Sequence, residues 1–351
     1  MPARAAARPP RPSPLTLAVA AAVAAMLAAA GCLRPGAQEQ GFDGEAALRF
    51  AAGLVEAGGE THRVPGTPGH AAAARWLWEQ ADVPGWERGW HNVTPRLLAE
   101  IPGGGVAAYL DRCPDDDKRR VGNVTFHNIF LTQRHAGESA GLVLLAAHWD
   151  SKQQATSDPD PAKRDRPVPG ANDGASGVGV LLQLARELGP GPFQVGIVFF
   201  DGEDGFEDCH ALAGSRAYAR DLPQGRPQLL ILLDMVGDPD ARFPREESSL
   251  RVAPKAVDFI WGRAEAHGLG ENFVRTTRSV FDDHTPFVER SIPAVDIIDF
   301  ARPDWSFPPY WHTTEDTVDK LDAGMMGRIG DLLLDVLDEP ELLADSADVP
   351  A

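Results

Sequence analysis

Gly141-Leu-Val-Leu-Leu-Ala-Ala-His-Trp-Asp150 is an apolar run that ends in a histidine, a tryptophan and an acid. Bounded by turn residues, such a run reads as a strand buried on both faces, the habit of parallel sheets. Two other stretches repeat the pattern. Gln194-Val-Gly-Ile-Val-Phe-Phe-Asp-Gly-Glu-Asp204 ends in three acids, and Leu229-Leu-Ile-Leu-Leu-Asp234 ends in one. A parallel sheet gathers its strand C-termini along one edge, where α/β proteins place their ligands. Gly170-Ala-Asn-Asp173 and Tyr310-Trp311-His312 add an acid and a second histidine. Carboxylates and imidazoles converging on one edge predict a zinc site.

Around these runs the periodicity alternates. Strands are expected over 121–133, 141–148, 194–200, 228–233, 249–253 and 294–300. Helices are expected over 42–57, 71–80, 176–189, 211–219, 256–267 and 325–337, with Thr67 or His70 marking the start of the second. Alternating strands and helices mean an α/β sandwich. Residues 151–169 form a long polar loop, of the kind that serves as a lid or binding loop. No internal repeat is present.

The N-terminal 32 residues have a different character. Arg4, Arg8 and Arg11 precede an Ala/Leu/Val run from Leu15 to Ala30, then Gly31-Cys32. That is the layout of a secretory signal rather than a spanning helix. Ala29-Ala30-Gly31-Cys32 resembles a bacterial lipobox, with Ala29 where leucine is usual, so Cys32 is the expected lipid anchor. The plainer reading is a secretion signal whose cysteine is accidental. The expected organisation is a leader over 1–32, a tether over 33–41, a catalytic domain over 42–338 and a disordered acidic tail over 339–351. The expected location is outside the cytoplasm, either anchored to a membrane through Cys32 or periplasmic or secreted.

Loss of the leader removes three arginines and no acid, so the net charge moves from −18 to −21 (30 basic against 51 acidic residues). A surface so acidic argues against nucleic acid as a partner. Only Cys113 and Cys209 then remain, which excludes a zinc site built of cysteines and leaves their pairing open.

Each motif has a bland reading beside the chemical one. A lone histidine at a strand end, such as His148, is more often structural, but Asp150 two residues on shares its face and could orient an imidazole or cap a turn. Asp173 within Asn-Asp-Gly could be a plain turn residue. The run 201–208 packs five acids into eight residues, and charge runs are usually solvated. Here the run begins at the end of a buried strand, where clustered carboxylates raise one another's pKa unless a cation intervenes. Asp282 and Thr313 could be helix caps.

The motifs together resemble the zinc peptidase-like M28 clan, and within it the animal-type glutaminyl-peptide cyclotransferases (glutaminyl cyclases). The resemblance runs from about 60 to 320. It is carried by Arg63-Val-Pro-Gly-Thr-Pro-Gly69, Asn128-Ile129, His148-Trp-Asp-Ser-Lys152, Gly170-Ala-Asn-Asp173, Phe199-Phe-Asp-Gly-Glu203, Leu233-Asp234, Asp282-Asp-His-Thr-Pro-Phe287 and Trp311-His312-Thr313. The implied fold is a three-layer α/β/α sandwich on a mixed, mainly parallel sheet. Asp173, Asp204 and His312 would hold one zinc, with His148 a ligand only if a second is bound. Glu203 would be the general acid/base and Asp234 and Asp282 the acid network beside it. Trp311, Val280 and Phe281 would contact substrate, the N-terminus of a peptide or protein. A monomer is favoured.

Several positions depart from the animal pattern. Asp204 replaces a glutamate ligand, Asp296 stands where a histidine is usual, Cys209 falls near a pocket tryptophan, and Ala147 removes a cysteine of the active-site disulfide. The resemblance implies conversion of N-terminal glutamine to pyroglutamate with release of ammonia. The alternatives are a two-zinc M28 aminopeptidase and, from another class, an inactive peptidase-like binding domain.

Overall fold

The structure is a computed structural model, and it describes residues 41–94, 124–134, 139–204, 212–302 and 306–343. The leader, Cys32, the tether before Gly41, Cys113, Cys209, the end of the 201–208 acid run and the tail from 344 lie outside the described residues. Among the described residues no helix is long and apolar enough to cross a membrane.

In chain order the elements begin with helices α1 (Gly44–Gly58) and α2 (Pro68–Gln80) and strands β1 (Trp86–Val93), β2 (Phe126–Gln133) and β3 (Leu142–His148). Then come α3 (Gly177–Glu187), β4 (Gln194–Phe200), α4 (Ala213–Asp221), β5 (Leu229–Asp234) and β6 (Phe243–Glu246). The remainder is α5 (Glu247–Val252), α6 (Pro254–Ala266), β7 (Phe273–Arg278), α7 (Thr285–Val288), β8 (Ala294–Ile298) and α8 (Ala323–Leu337). Six strands form one sheet in the order β1-β2-β4-β3-β5-β8, while β6 and β7 form a separate parallel pair. β1/β2 and β2/β4 are antiparallel, and β4/β3, β3/β5 and β5/β8 are parallel.

Both faces of this sheet are covered, which is why its central strands can be apolar throughout. Val143, Leu145 and Ala147 of β3 pack with Ile197, Ile231 and the helices α1, α2, α3, α6 and α8. Leu144 and Ala146 point the other way, against Val198, Leu232, Tyr218 of α4 and Phe287 of α7. The period-two alternation of β3 thus divides its side chains between two apolar layers. The expected α/β/α sandwich with a mixed, mainly parallel sheet is what forms.

Local signals account for the element ends. Thr67 caps α2, its hydroxyl accepting the His70 N–H at 3.2 Å, with Pro68 in the first turn. One expected strand is a helix instead. Residues 249–253 fall largely in α5, because the Glu246 carboxylate accepts the Ser249 N–H (2.6 Å) and so caps a helix there. Ser-Leu-Arg-Val alternates like a strand, but the cap decides. β1 and the β6/β7 pair add strands that the apolar pattern does not announce. The fold also runs past 338, since Pro340–Leu343 makes a further helical turn with Leu342 fully buried.

Candidate active site and metal centre

β3, β4, β5 and β8 run parallel, so their C-terminal ends lie along one edge of the sheet. β3 delivers His148, the turn after β4 delivers Glu203 and Asp204, and β5 ends in Asp234. Gly202 (φ +76°) makes that turn possible, and a Cβ on it would come within 2.6 Å of Phe126. Asp173 comes from the turn Ala171–Ser176 ahead of α3. Its neighbour Gly174 lies so close to His148 that a Cβ would meet the ring at 2.4 Å. His312 and Met235 both hold left-handed backbone (φ 55° and 51°), uncommon for residues with side chains and frequent at functional sites.

These segments meet at Asp173. Its Oδ1 lies 2.9 Å from His148 Nε2, and its Oδ2 lies 3.4 Å from His312 Nε2. His312 Nε2 is also 3.1 Å from Asp204 Oδ1, and His148 Nε2 is 3.4 Å from Asp234 Oδ1. Donor atoms of His148, Asp173 and Asp204 all fall within 4.8 Å of one another. His148 therefore belongs to the same constellation as His312, although the sequence reading keeps it for a second ion only. Lys152 approaches from the side, with Nζ 3.9 Å from Asp204 Oδ1.

A pocket of about 190 Å³ opens over this constellation. Asp173, Glu203, Asp204, Asp234, Asp282 and His312 line its polar side. Val280, Phe281 and Trp311, singled out from the sequence as substrate contacts, line it too, together with Ile298 and Phe307. Trp311 stacks on His312 (centroids 3.6 Å apart) and on Phe307 (4.1 Å), forming an aromatic wall beside the candidate ligands. Phe281 is 47% exposed and forms part of the rim. His148 is sealed beneath this surface. Trp149 is fully buried, stacks on His70 at 4.6 Å and donates its indole N–H to His127 O, so it is core.

The electrostatics follow from burial. Removal from water pushes Glu203 well above the ordinary carboxylate range, and Asp204, Asp282 and Asp283 push it further. Burial, with Asp282 nearby, brings Asp234 up to about 8 despite the contact with His148. Asp282 is raised for the same first cause. Burial opposes charge on His312, yet Asp204 and Asp173 hold it up to about 9. Asp173 is the opposite case: burial would raise it, but His148 and His312 hold it well below the usual range.

Do these residues fit a metal ion? Asp204 Oδ2 and Asp282 Oδ2 are buried without a hydrogen-bond partner, and His148 Nε2 and Asp234 Oδ1 meet only other members of the constellation. Buried polar atoms without partners are rare in folded proteins, and two of those here belong to acids that line the pocket. Imidazole and carboxylate donors without cysteine suit a divalent ion of the zinc type. The donor set fits.

Of the supporting residues, Asp150 carries a sequence signal in its spacing from His148, while Asp316 carries none. The Asp316 carboxylate accepts the N–H groups of Asn172 (2.9 Å) and Asp173 (3.2 Å), shaping the ligand turn from below. Asp150 accepts the Glu203 N–H at 3.0 Å, so it fixes the general acid/base candidate as well as facing His148 Nδ1 at 3.6 Å. Asp201 pairs with His70 (2.9 Å) and accepts the His127 N–H, a structural use of one acid in the run. Deeper in, His284 lies 3.2 Å from both Asp296 and Glu246. Asp296 therefore sits in a sealed acid–histidine cluster that includes Asp282.

Residues 128–337 match the profile of Peptidase family M28. A bovine glutaminyl-peptide cyclotransferase-like protein is 28% identical over 288 residues, covering 73% of this chain and 66% of that relative, so this chain spans about two thirds of its length. The glutaminyl cyclase of Tannerella forsythia aligns with a TM-score of 0.71 at 30% identity, over 85% of this chain and 99% of that one. A Zn-dependent exopeptidase from Parabacteroides distasonis aligns with a TM-score of 0.70 at 29% identity, over 85% and 99%. With its sheet-edge donors and the matched span covering most of the domain, this chain belongs to peptidase family M28.

Proposed function

We propose that this protein is a zinc-dependent glutaminyl-peptide cyclotransferase, closing the N-terminal glutamine of a peptide or protein into pyroglutamate. The observation that carries the reading is the aromatic wall of Trp311 and Phe307 set against His312, in one small pocket that Glu203 also lines. Such a slot suits a flat, uncharged side-chain amide. The glutaminyl-peptide cyclotransferases and glutaminyl cyclases among its relatives support it.

Asp173, Asp204 and His312 would hold the ion. Bound there, zinc would supply Lewis acidity toward the oxygen of the glutamine side-chain amide. The substrate's own α-amine attacks that amide carbon. The new C–N bond closes a five-membered ring, and the old bond to the amide nitrogen breaks. Glu203 accepts the proton from the attacking amine and returns it to the departing ammonia, so no net proton is consumed. Burial and the neighbouring acids raise the Glu203 carboxyl above the ordinary carboxylate range, which suits a group that must take and then give a proton. Asp234 and Asp282, held toward their neutral forms by burial, can donate hydrogen bonds within the acid network. Trp311 packs along the glutamine chain. Because attack is intramolecular, the site chiefly orients and stabilises charge.

A two-zinc aminopeptidase is the second reading. One observation favours it: Asp173 turns one oxygen to each histidine, the arrangement a bridging ligand would need. The assay that separates them offers the purified protein a Gln-initiated peptide and an amino-acid arylamide. Ammonia and pyroglutamate from the first, with no arylamine from the second, is the expected result. Arylamine release without cyclisation overturns the proposal.

For the cellular setting, the lipobox-like 29–32 segment supports export with Cys32 as lipid anchor. Cys32→Ala should release the protein from membranes, and unchanged membrane association would refute the anchor.

A further inference from the structure

The ligand-bearing turn and the end of β3 share one tether, a buried guanidinium. Arg63 is fully enclosed (0% exposed). Its Nε donates to Trp149 O (2.6 Å), Nη1 to Pro169 O (2.6 Å) and Nη2 to Gly170 O (2.7 Å). Longer contacts from Nη2 reach Asp150 O (3.3 Å) and Asp173 O (3.4 Å). Its backbone joins in, with its N–H donating to Ser151 Oγ at 3.1 Å and its carbonyl accepting the Ser151 N–H at 3.4 Å. The acceptors belong to three stretches of chain: the residues after β3, the end of the 151–169 loop, and the turn that presents Asp173.

We propose that Arg63 is a positioning residue for the metal centre, fixing the backbone of the Asp173 turn against the strand end that carries His148. None of its side-chain hydrogen bonds goes to a carboxylate, and among the described residues none lies within ion-pair distance. A buried cation without such a partner is costly, so its place needs a reason. The reason is geometric. A planar fork spreads five N–H donors over three nitrogens in fixed directions and so reaches all of these carbonyls, whereas an ammonium offers three donors on one atom. The charge is still balanced at longer range, since Asp150, Asp316, Asp173 and Asp204 surround it. Arg63 does not line the pocket, and its side chain donates to backbone carbonyls. It acts by making the ligand set rigid before the ion arrives, which is where metal affinity is gained.

The inference rests on reading Asp173 as a metal ligand, and zinc affinity tests it without recourse to catalysis. Metal-free wild type, Arg63→Lys and Arg63→Ala are titrated with zinc against a competing chelator, with circular dichroism and melting of the metal-free forms in parallel. Arg63→Lys is expected to stay folded but bind zinc about 10–100-fold more weakly. Its kcat should fall while KM for a Gln-initiated peptide changes little. In Arg63→Ala, added methylguanidinium should restore part of the lost affinity. A lowered melting temperature with unchanged zinc affinity would show a merely structural residue and overturn the proposal. Should Arg63→Lys fail to fold, Arg63→Ala refolded with methylguanidinium decides: affinity that does not depend on the additive overturns it. A wild type that binds no zinc would instead refute the ligand reading beneath.

Discussion

Asp173 has two sides, and they differ in what they face. On one side His312 and Asp204 line the pocket, with Trp311 stacked on His312. On the other, His148 and Asp234 meet at the sheet edge, with His148 only 1% exposed and Asp150 behind it. The donors are chemically alike, an imidazole and a carboxylate on each side. Position separates them. Both His312 and Asp204 line the pocket, whereas on the other side Asp234 lines it and His148 is buried out of it. One constellation can thus serve as a single catalytic zinc with a supporting acid network, or as a two-ion centre.

Substitutions that strike one side at a time sharpen the contrast. Asp204→Ala removes a donor from the pocket side, and we expect loss of bound metal with a fall in kcat of about 10³-fold or more. Metal analysis with steady-state kinetics reads it, and a variant that keeps both would refute the ligand role. Glu203→Gln should lower kcat by about 10²–10⁴-fold while zinc stays bound. Retained turnover would sink the proton shuttle. His148→Ala should weaken zinc affinity by about 10–100-fold, as removal of a supporting group does, with the same stoichiometry. If it instead removes one of two equivalents, His148 holds its own ion.

The smallest effect is in pH. Without metal, His312 is held up to about 9, so it is protonated at neutral pH. Zinc takes only the neutral ring, so binding must expel that proton. Affinity through this group should rise about tenfold per pH unit until about 9 and then level off. Calorimetry in buffers of different ionisation enthalpy reads the proton release, and no release at pH 7 would mean that His312 is not a ligand.

The parts of this centre that follow local rules were legible in the sequence, and the parts that depend on folding were not. His148, Glu203–Asp204 and Asp234 each sit at the end of an apolar run, so their shared edge follows from strand geometry alone. β1 escaped that logic because its Trp-Glu-Arg-Gly-Trp-His-Asn-Val is polar, as befits a strand at the end of the sheet order. The helix α5 defeats the alternating pattern because one carboxylate cap outweighs four alternating residues. Arg63 and Asp316 act on backbone groups brought near only by the fold, Arg63 across some 86–110 positions. No spacing rule reaches that far. Asp296 departs visibly from the animal pattern, but its partners His284 and Asp282 lie outside its own strand.

Anomalous scattering at the zinc edge from crystals of the zinc-loaded protein tests the asymmetry most directly. The account predicts a single peak, within bonding distance of Asp173, Asp204 and His312, with none between His148 and Asp234. A second peak there, bridged by Asp173, would contradict it and return the protein to the two-zinc aminopeptidase reading.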